Sequence, residues 1–362
     1  MCYDARMSEH FEIGVVTFAD NGYDYEGNYL FSGQERMKNL IEEAVLADEV
    51  GLDVFGVGEH HRPDFTVSSP TVALAAIAAR TKNIRLTSAV TVLSSADPVR
   101  VYEEFATVDL ISGGRAEIMA GRGSFTETFP LFGQSLDDYD ELFTEHLELL
   151  LNVRENEYVT WQGKHRPDID NRGVFPRALQ DPLPVWIAVG GSPESVVRAG
   201  LLGLPLTIAI IGGTPDRFKP FVDIYRQASE QAGHGALPLA INSHVFVSES
   251  PSMADDYYEY YSGMMNKIGR ERGWPPMDRA GFDQRIAGDG IPWLGEPEAI
   301  AEKILREHEL FGNTRFLAQG SVGRMPHDVA MKSIELLGTK VAPIVREEVK
   351  RRTTGTAQTT AV

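Results

Sequence analysis

The chain has 362 residues, of which 43% are hydrophobic and 24% charged, the balance of a globular protein with a large core. Its formal net charge of −18 argues against nucleic acid or an anionic membrane as a partner, since both call for basic patches. The single cysteine, Cys2, excludes an intramolecular disulfide and a cysteine-rich metal site. Met1–His10 lacks the apolar centre of a signal peptide, and no apolar run is long enough to span a bilayer. The expected location is therefore the cytoplasm.

In chain order, Ile13–Phe18 reads as the first strand. Gln34–Val50 follows as a helix, with Met37, Leu40, Ile41, Ala44, Val45 and Ala47 at helical spacing and Gly51 as its stop. Val54–Val57 is the second strand, and Ser69-Pro70 opens a helix over Thr71–Arg80. Ile84–Val92 is the third strand, Pro98–Ile111 a helix and Ala116–Ala120 the fourth strand. Ser124–Arg177 is too long for a simple connection. It reads as an insertion above the mouth of the fold, with one strong helix at Leu136–Leu151.

The alternation then resumes. Val185–Val189 is the fifth strand, Ser192–Leu202 a helix, Leu206–Ile211 the sixth strand, Phe218–Ala232 a helix and Leu239–Val247 the seventh strand. A second insertion, Glu249–Pro292, is rich in tyrosine and methionine, with Trp274 near its middle. Such aromatic stripes suit a substrate lid, a packing layer or a dimer surface. Glu296–Glu309, Thr314–Leu317 and His327–Val349 complete the series as helix, eighth strand and closing helix, and the tail 351–362 is expected to be frayed or disordered. Eight strands alternating with helices predict an α/β fold, a single (β/α)8 TIM barrel over residues 1–350 with insertions after the fourth and seventh strands. An open doubly wound sheet has the same alternation.

Several strands end in residues that a buried strand does not need. Glu59-His60-His61 follows the second strand. It suits an acid/base or hydrogen-bonding group at the barrel mouth, or a structural loop histidine, and adjacent side chains diverge, so one of the two is expected to reach a site. The remaining histidines show no HxH or HExxH spacing, which leaves metal without support. Gly121-Arg122-Gly123 places a bidentate cation after the fourth strand, where it serves an anion or a surface ion pair. Gly190-Gly191-Ser192-Pro193-Glu194 reads as a capped helix start, and open N–H groups there suit a phosphate. Glu194 can satisfy the helix dipole by itself.

The stretch Gly51–Gly123, with "GLDVFGVGEHH" and "SPTVALAAIAARTKNIRLTSAVTVLSSADPVRVYEEFATVDLISGGRAEIMAGRG", and the block "PVWIAVGGSPESVVRAG" resemble the bacterial-luciferase-like flavin-dependent monooxygenases. The resemblance implies a barrel that takes reduced FMN as co-substrate, delivered by a separate flavin reductase. One oxygen atom of O2 then passes to a small organic substrate and the other to water. It implies further that His60, with His61 beside it, stands at the reacting centre. By the same resemblance, Ala89 and Val90 are expected to form a non-prolyl cis peptide that supports the flavin ring, and Arg122, Gly190, Gly191 and Ser192 to bind its phosphate. A homodimer is expected on the same ground.

A sister branch of the superfamily uses the deazaflavin F420 for hydride transfer, and a barrel that binds flavin without turnover is a third alternative. Substrates across the superfamily range over alkanals, long-chain alkanes, sulfonates, amines and terpenoid ketones. The chain departs from the light-emitting subunit at one position, carrying Gly121 where that subunit has a cysteine, so light emission is not expected.

Overall fold

The computed structural model describes residues 10–23 and 28–359, so Cys2 and the first nine residues lie outside the described part. β1 (Glu12–Thr17) is buried along its whole length. The helix α1 (Gly33–Glu49) starts at Ser32, whose hydroxyl accepts the Glu35 N–H at 3.2 Å. β2 (Val54–Val57), α2 (Pro70–Ala78) and β3 (Arg85–Ser88) follow. The predicted third strand is broken: the cis peptide Ala89-Val90 separates β3 from the two-residue β4 (Thr91–Val92). α3 (Pro98–Ser112) is capped by the Asp97 carboxylate and closed by Gly113 in the left-handed region (φ 72°). β5 (Ala116–Gly121) is again fully buried.

Between β5 and the next barrel strand lie the single turn α4 (Thr128–Leu131), α5 (Tyr139–Glu155) and an antiparallel hairpin of β6 (Tyr158–Trp161) and β7 (Ile169–Gly173). The helix read from sequence as lying above the mouth is α5, and this placement is corrected. Its apolar face, with Phe143, Leu147, Leu149, Leu150 and Val153, belongs to the main core, and it packs beside α3 on the outside of the barrel. Helical periodicity shows that a helix has an apolar face but not which surface that face covers.

β8 (Val185–Val189), α6 (Pro193–Leu201), β9 (Leu206–Ile210), α7 (Lys219–Gln231) and β10 (Leu239–Val247) continue the alternation. The second insertion holds α8 (Met253–Glu271) and α9 (Arg279–Ile286), and then comes the short β11 (Trp293–Gly295), which pairs parallel with the C-terminal end of β10. α10 (Pro297–Phe311), β12 (Arg315–Gln319), α11 (His327–Leu336), a π turn at Leu337–Val341 and α12 (Ala342–Thr359) complete the chain.

Of the tail expected to be frayed, 351–362, residues 360–362 lie outside the described part, and α12 continues through Thr359. Arg351 and Arg352 hold the Glu348 carboxylate at 2.7 and 2.6 Å, Arg352 also pairs with Glu309, and Thr353 and Thr354 bond back to carbonyls one turn earlier.

All barrel pairings are parallel, in the order β12-β1-β2-β3-β5-β8-β9-β10, and β10 pairs with β12 to close the ring. This is a (β/α)8 barrel. The end opposite the mouth is plugged by charge: Arg315, fully buried, holds Glu12 at 2.8 Å and Glu117 at 2.7 and 3.1 Å and lies 4.2 Å from the Trp186 ring centroid. Above this plug, Val16, Val54, Met119, Trp186, Ala240 and Leu317 fill the barrel interior, and Val16, Met119 and Leu317 among them line a cavity at the strands' C-terminal ends.

Candidate active site

The cavity has a volume of about 330 Å³, within the ~300–1,000 Å³ common for small-molecule sites. It opens where the strands end and is roofed by α8 and the loop after it, which contribute Met264, Met265, Ile268, Arg272 and Trp274. Tyr257 and Tyr261 on α8 turn away from it and pack with Phe246 and Phe282. The tyrosine- and methionine-rich insertion therefore provides both a packing layer and a roof. Three roof side chains, Lys267, Glu271 and Arg272, tie the roof to the rim. Lys267 pairs with Asp64 and donates to the Tyr23 hydroxyl at 2.6 Å, Arg62 pairs with Glu271 at 2.7 Å, and Arg272 donates to the Ser124 carbonyl at 2.9 Å.

His60, His61, Ala89, Val90, Arg122 and Gly190 all line this one cavity. His60 is buried among Phe65 (centroid distance 4.1 Å, stacked), Phe18 (4.6 Å) and Phe125 (5.4 Å). Burial, reinforced by Arg62 and His61, pushes its pKa down to about 3, so the ring is neutral at physiological pH. Its Nδ1 is buried and has no hydrogen-bond partner. The adjacent His61 points elsewhere: Nε2 lies 3.1 Å from Glu59 Oε1, and Glu59 Oε2 accepts the Val92 N–H at 2.9 Å. Glu59 thus ties the loop after β2 to the backbone just beyond the cis peptide. Gly56, Gly58 and Gly121 let the strands close in here, since a Cβ on Gly121 would sit 2.7 Å from Val90 Cγ2 and one on Gly58 2.6 Å from the Phe18 ring. The glycine at 121 is the counterpart of Val90 projecting over it.

Arg122 lies over the Tyr139 ring, 5.1 Å from its centroid, and pairs with Asp140 at the mouth. Tyr139 is fixed by donating its hydroxyl to the Gly123 carbonyl at 3.0 Å. Gly191 and Ser192 stand behind the lining. Ser192 caps α6, accepting the Ser195 N–H at 3.4 Å and donating to Glu194 Oε2 at 2.9 Å. Gly191 has φ 140°, a conformation open only to glycine, and nothing lies within 4 Å of where a Cβ would sit on Gly190 or Gly191. This open turn, the α6 N-terminus and Arg122 form a place suited to an anion. Two carboxylates already sit there, Glu194 on the cap and Asp140 on Arg122. Both are at the surface and can swing aside.

Four cavity residues went unnoticed in the sequence: Thr207, Asn242, His244 and Gln319. Their signal was a polar side chain at inward positions of otherwise apolar strands, as in Leu-Ala-Ile-Asn-Ser-His-Val-Phe-Val of β10. Gln319 stood beyond the predicted end of the eighth strand. Asn242 donates to the Leu317 carbonyl at 2.9 Å, and His244 Nδ1 lies 3.2 Å from the Tyr261 hydroxyl. Burial and Arg285 push the His244 pKa down to about 4. Away from the cavity, Asp138, Glu141 and His165 approach one another within 4.8 Å, a grouping that their spacing did not reveal; Lys164 neutralises Glu141 there.

The family profile described as "Luciferase-like monooxygenase" matches residues 11–318. The alkanal monooxygenase alpha chain of Photobacterium leiognathi is 26% identical over 346 residues, covering 87% of this chain and 95% of the relative. Among solved structures, the oxygenating constituent of 3,6-diketocamphane monooxygenase from Pseudomonas putida, in complex with FMN, superposes with TM-score 0.73 at 19% identity, over 92% of this chain and 98% of that one. An F420-dependent secondary alcohol dehydrogenase superposes with TM-score 0.73 at 16% identity, over 93% and 99%. With a match spanning most of the barrel, the chain belongs to the luciferase-like monooxygenase family and is an oxidoreductase.

Proposed function

We propose that the chain is a flavin-dependent monooxygenase that uses reduced FMN and O2 to oxygenate a small organic substrate. The observation that carries this reading is the adjacency of two surfaces. One is the anion-compatible corner of Arg122, Gly190-Gly191 and the α6 N-terminus; the other is a largely apolar cavity bordered by the Ala89-Val90 peptide. A phosphate with a flat ring attached needs both. When bound, the flavin would activate O2 for transfer to the substrate. Arg122 and the turn at Gly190, Gly191 and Ser192 would hold the phosphate, displacing Asp140 and Glu194. Ala89 and Val90 would support the ring. His60 enters as a neutral imidazole able to donate or accept one hydrogen bond at the reacting centre, and His61, held by Glu59, keeps that loop in place. The roof formed by Met264, Met265, Ile268 and Trp274 excludes water, which oxygen transfer from reduced flavin requires.

Reduced flavin has to come from outside the chain, which supports a separate reductase as partner. Val72 on α2 and Leu110 and Ile111 on the neighbouring α3 are exposed, which supports the expected homodimer. Among the described residues no helix is long and apolar enough to cross a membrane, in keeping with a cytoplasmic enzyme.

F420 is the competing cofactor. Its acidic tail calls for a basic exit groove, whereas the carboxylates of Asp140 and Glu194 stand at the corner occupied by Arg122 and the α6 cap. Equilibrium titration of FMN against F420 tests the reading. Saturable binding of FMN, and O2 consumption when reduced FMN is supplied, are expected. Binding of F420 with no saturable binding of FMN would refute it.

A further inference from the structure

The cavity divides into two chemically different halves. The ends of β2, β3, β5 and β8 carry Glu59, His60, Ala89-Val90, Arg122 and Gly190, the residues assigned above to the flavin. The ends of β9, β10 and β12, with the roof, form the other half. Its strands bring no charged side chain to the cavity, and burial keeps His244 neutral. Its one roof cation, Arg272, is occupied by the Ser124 carbonyl and lies against the Phe125 and Trp274 rings.

Within this neutral half, Gln319 stands out. It closes β12, directly beside His244 of β10 in the parallel register. It is 1% exposed, it lines the cavity, and neither Oε1 nor Nε2 has a hydrogen-bond partner. Thr207 Oγ1, on the same side, is also buried without a partner. Asn242 is already engaged with the Leu317 carbonyl and His244 with Tyr261. A buried amide with both ends open is costly in a folded protein, and such groups normally find a partner. Here the space they face is the cavity, so the missing partner is a ligand atom.

We propose that Gln319 is the specificity-determining residue for substrate. It recognises an uncharged oxygen head group, of the carbonyl class, on an otherwise apolar molecule whose body lies under Met264, Met265, Ile268 and Trp274. The amide Nε2–H donates to the head-group oxygen. The strands of this half bring no charged side chain to the cavity, and its lining cation, Arg272, is held at the roof by the Ser124 carbonyl and two aromatic rings, so a carbonyl is favoured there over a carboxylate, sulfonate or ammonium ion, whose charge the strands leave unpaired. This assignment rests on the flavin occupying the other half.

The test uses the purified full chain, with and without saturating FMN, and three probes of matched length: 2-octanone, octane and octanoate. Binding is followed by tryptophan fluorescence, which Trp274 in the roof makes sensitive to occupancy. The expected ranking is 2-octanone at least about tenfold tighter than octane and octanoate, the effect of one buried hydrogen bond left unmade. Gln319→Met, similar in length and apolar, is expected to abolish the advantage of 2-octanone over octane while FMN affinity stays within about twofold. Gln319→Leu, which removes both polar atoms with a shorter side chain, is expected to weaken 2-octanone by a similar factor, and it carries the test where the Met variant does not fold.

Equal binding of 2-octanone and octane, tighter binding of octanoate, absence of saturable 2-octanone binding, or an unchanged ranking in the variants would each overturn the proposal. So would loss of FMN affinity on substitution of Gln319, which would assign that amide to the flavin. Retention of the ranking without FMN binding would leave the substrate assignment standing and remove only the flavin reading.

Discussion

Removing Arg122 tests whether the corner at the end of β5 binds a phosphate. Arg122→Ala deletes the arginine that lines the cavity next to the Gly190-Gly191 turn. A charge-assisted hydrogen bond to a phosphate contributes about 1.5–3 kcal/mol, which corresponds to roughly 10–150-fold in affinity. The Arg122 side chain is 25% exposed, so solvent screening places the expectation at the lower end, about tenfold. The variant also leaves Asp140 without its partner beside the anion, which adds to the loss. Asp140→Asn acts in the opposite direction. It frees Arg122 and is expected to tighten FMN by no more than about fivefold, since the pair it breaks lies at the surface.

The assay is a fluorescence titration of FMN and of riboflavin, which lacks the phosphate, against wild type, Arg122→Ala, Asp140→Asn and the double variant. Wild type is expected to prefer FMN, and Arg122→Ala to lose that preference without weakening riboflavin. Equal affinity for FMN and riboflavin in wild type, or parallel weakening of both by Arg122→Ala, would refute the phosphate assignment.

Other expectations concern stability and the neutral histidines. The folded pKa of His244, about 4, lies below its ordinary 6.5, so the native state binds fewer protons than the unfolded chain between these values. The stability it contributes is full above about pH 6.5 and is lost as pH falls toward 4, at up to ~1.4 kcal/mol per pH unit. Asp20, which burial raises to about 7, acts with the opposite sign. The histidine's contribution is therefore read as the difference in urea stability between wild type and His244→Gln; a difference that stays constant from pH 7 to 4 would contradict it. Arg315→Met removes the partner of Glu12 and leaves Glu117 with Arg85 alone in the barrel plug, and is expected to cost about 3–5 kcal/mol, with part recovered by adding Glu12→Gln; denaturant midpoints measure both. Gly121→Ala pushes a methyl into Val90, costing about 1–3 kcal/mol by overpacking, and Val90→Ala in the same chain should relieve most of that loss of melting temperature.

Local signals were enough for much of the barrel. Val54–Val57, Val185–Val189 and Leu239–Val247 were legible to the residue as apolar, β-branched runs with turn residues at their ends. His60, Arg122 and Gly190 were legible as chemistry placed just beyond such runs, and they share one cavity because parallel strands in a barrel all end on the same face. The break at Ala89-Val90 was visible only through family resemblance, since its residues look like ordinary strand.

What the sequence determined by itself was therefore the alternation of strands and helices and the polar and glycine residues at the strand ends, a pattern that a closed barrel shares with an open doubly wound sheet. These follow from hydrophobic period and turn residues, which are local. The tertiary structure decided everything that depends on which distant residues meet. It set α5 against the barrel side, joined Arg315 to Glu12 across 303 positions and closed Lys267 and Glu271 of the roof onto Asp64 and Arg62. It also left the Gln319 amide open toward the cavity, because whether a polar group is satisfied is a property of its three-dimensional surroundings and not of its neighbours in the chain.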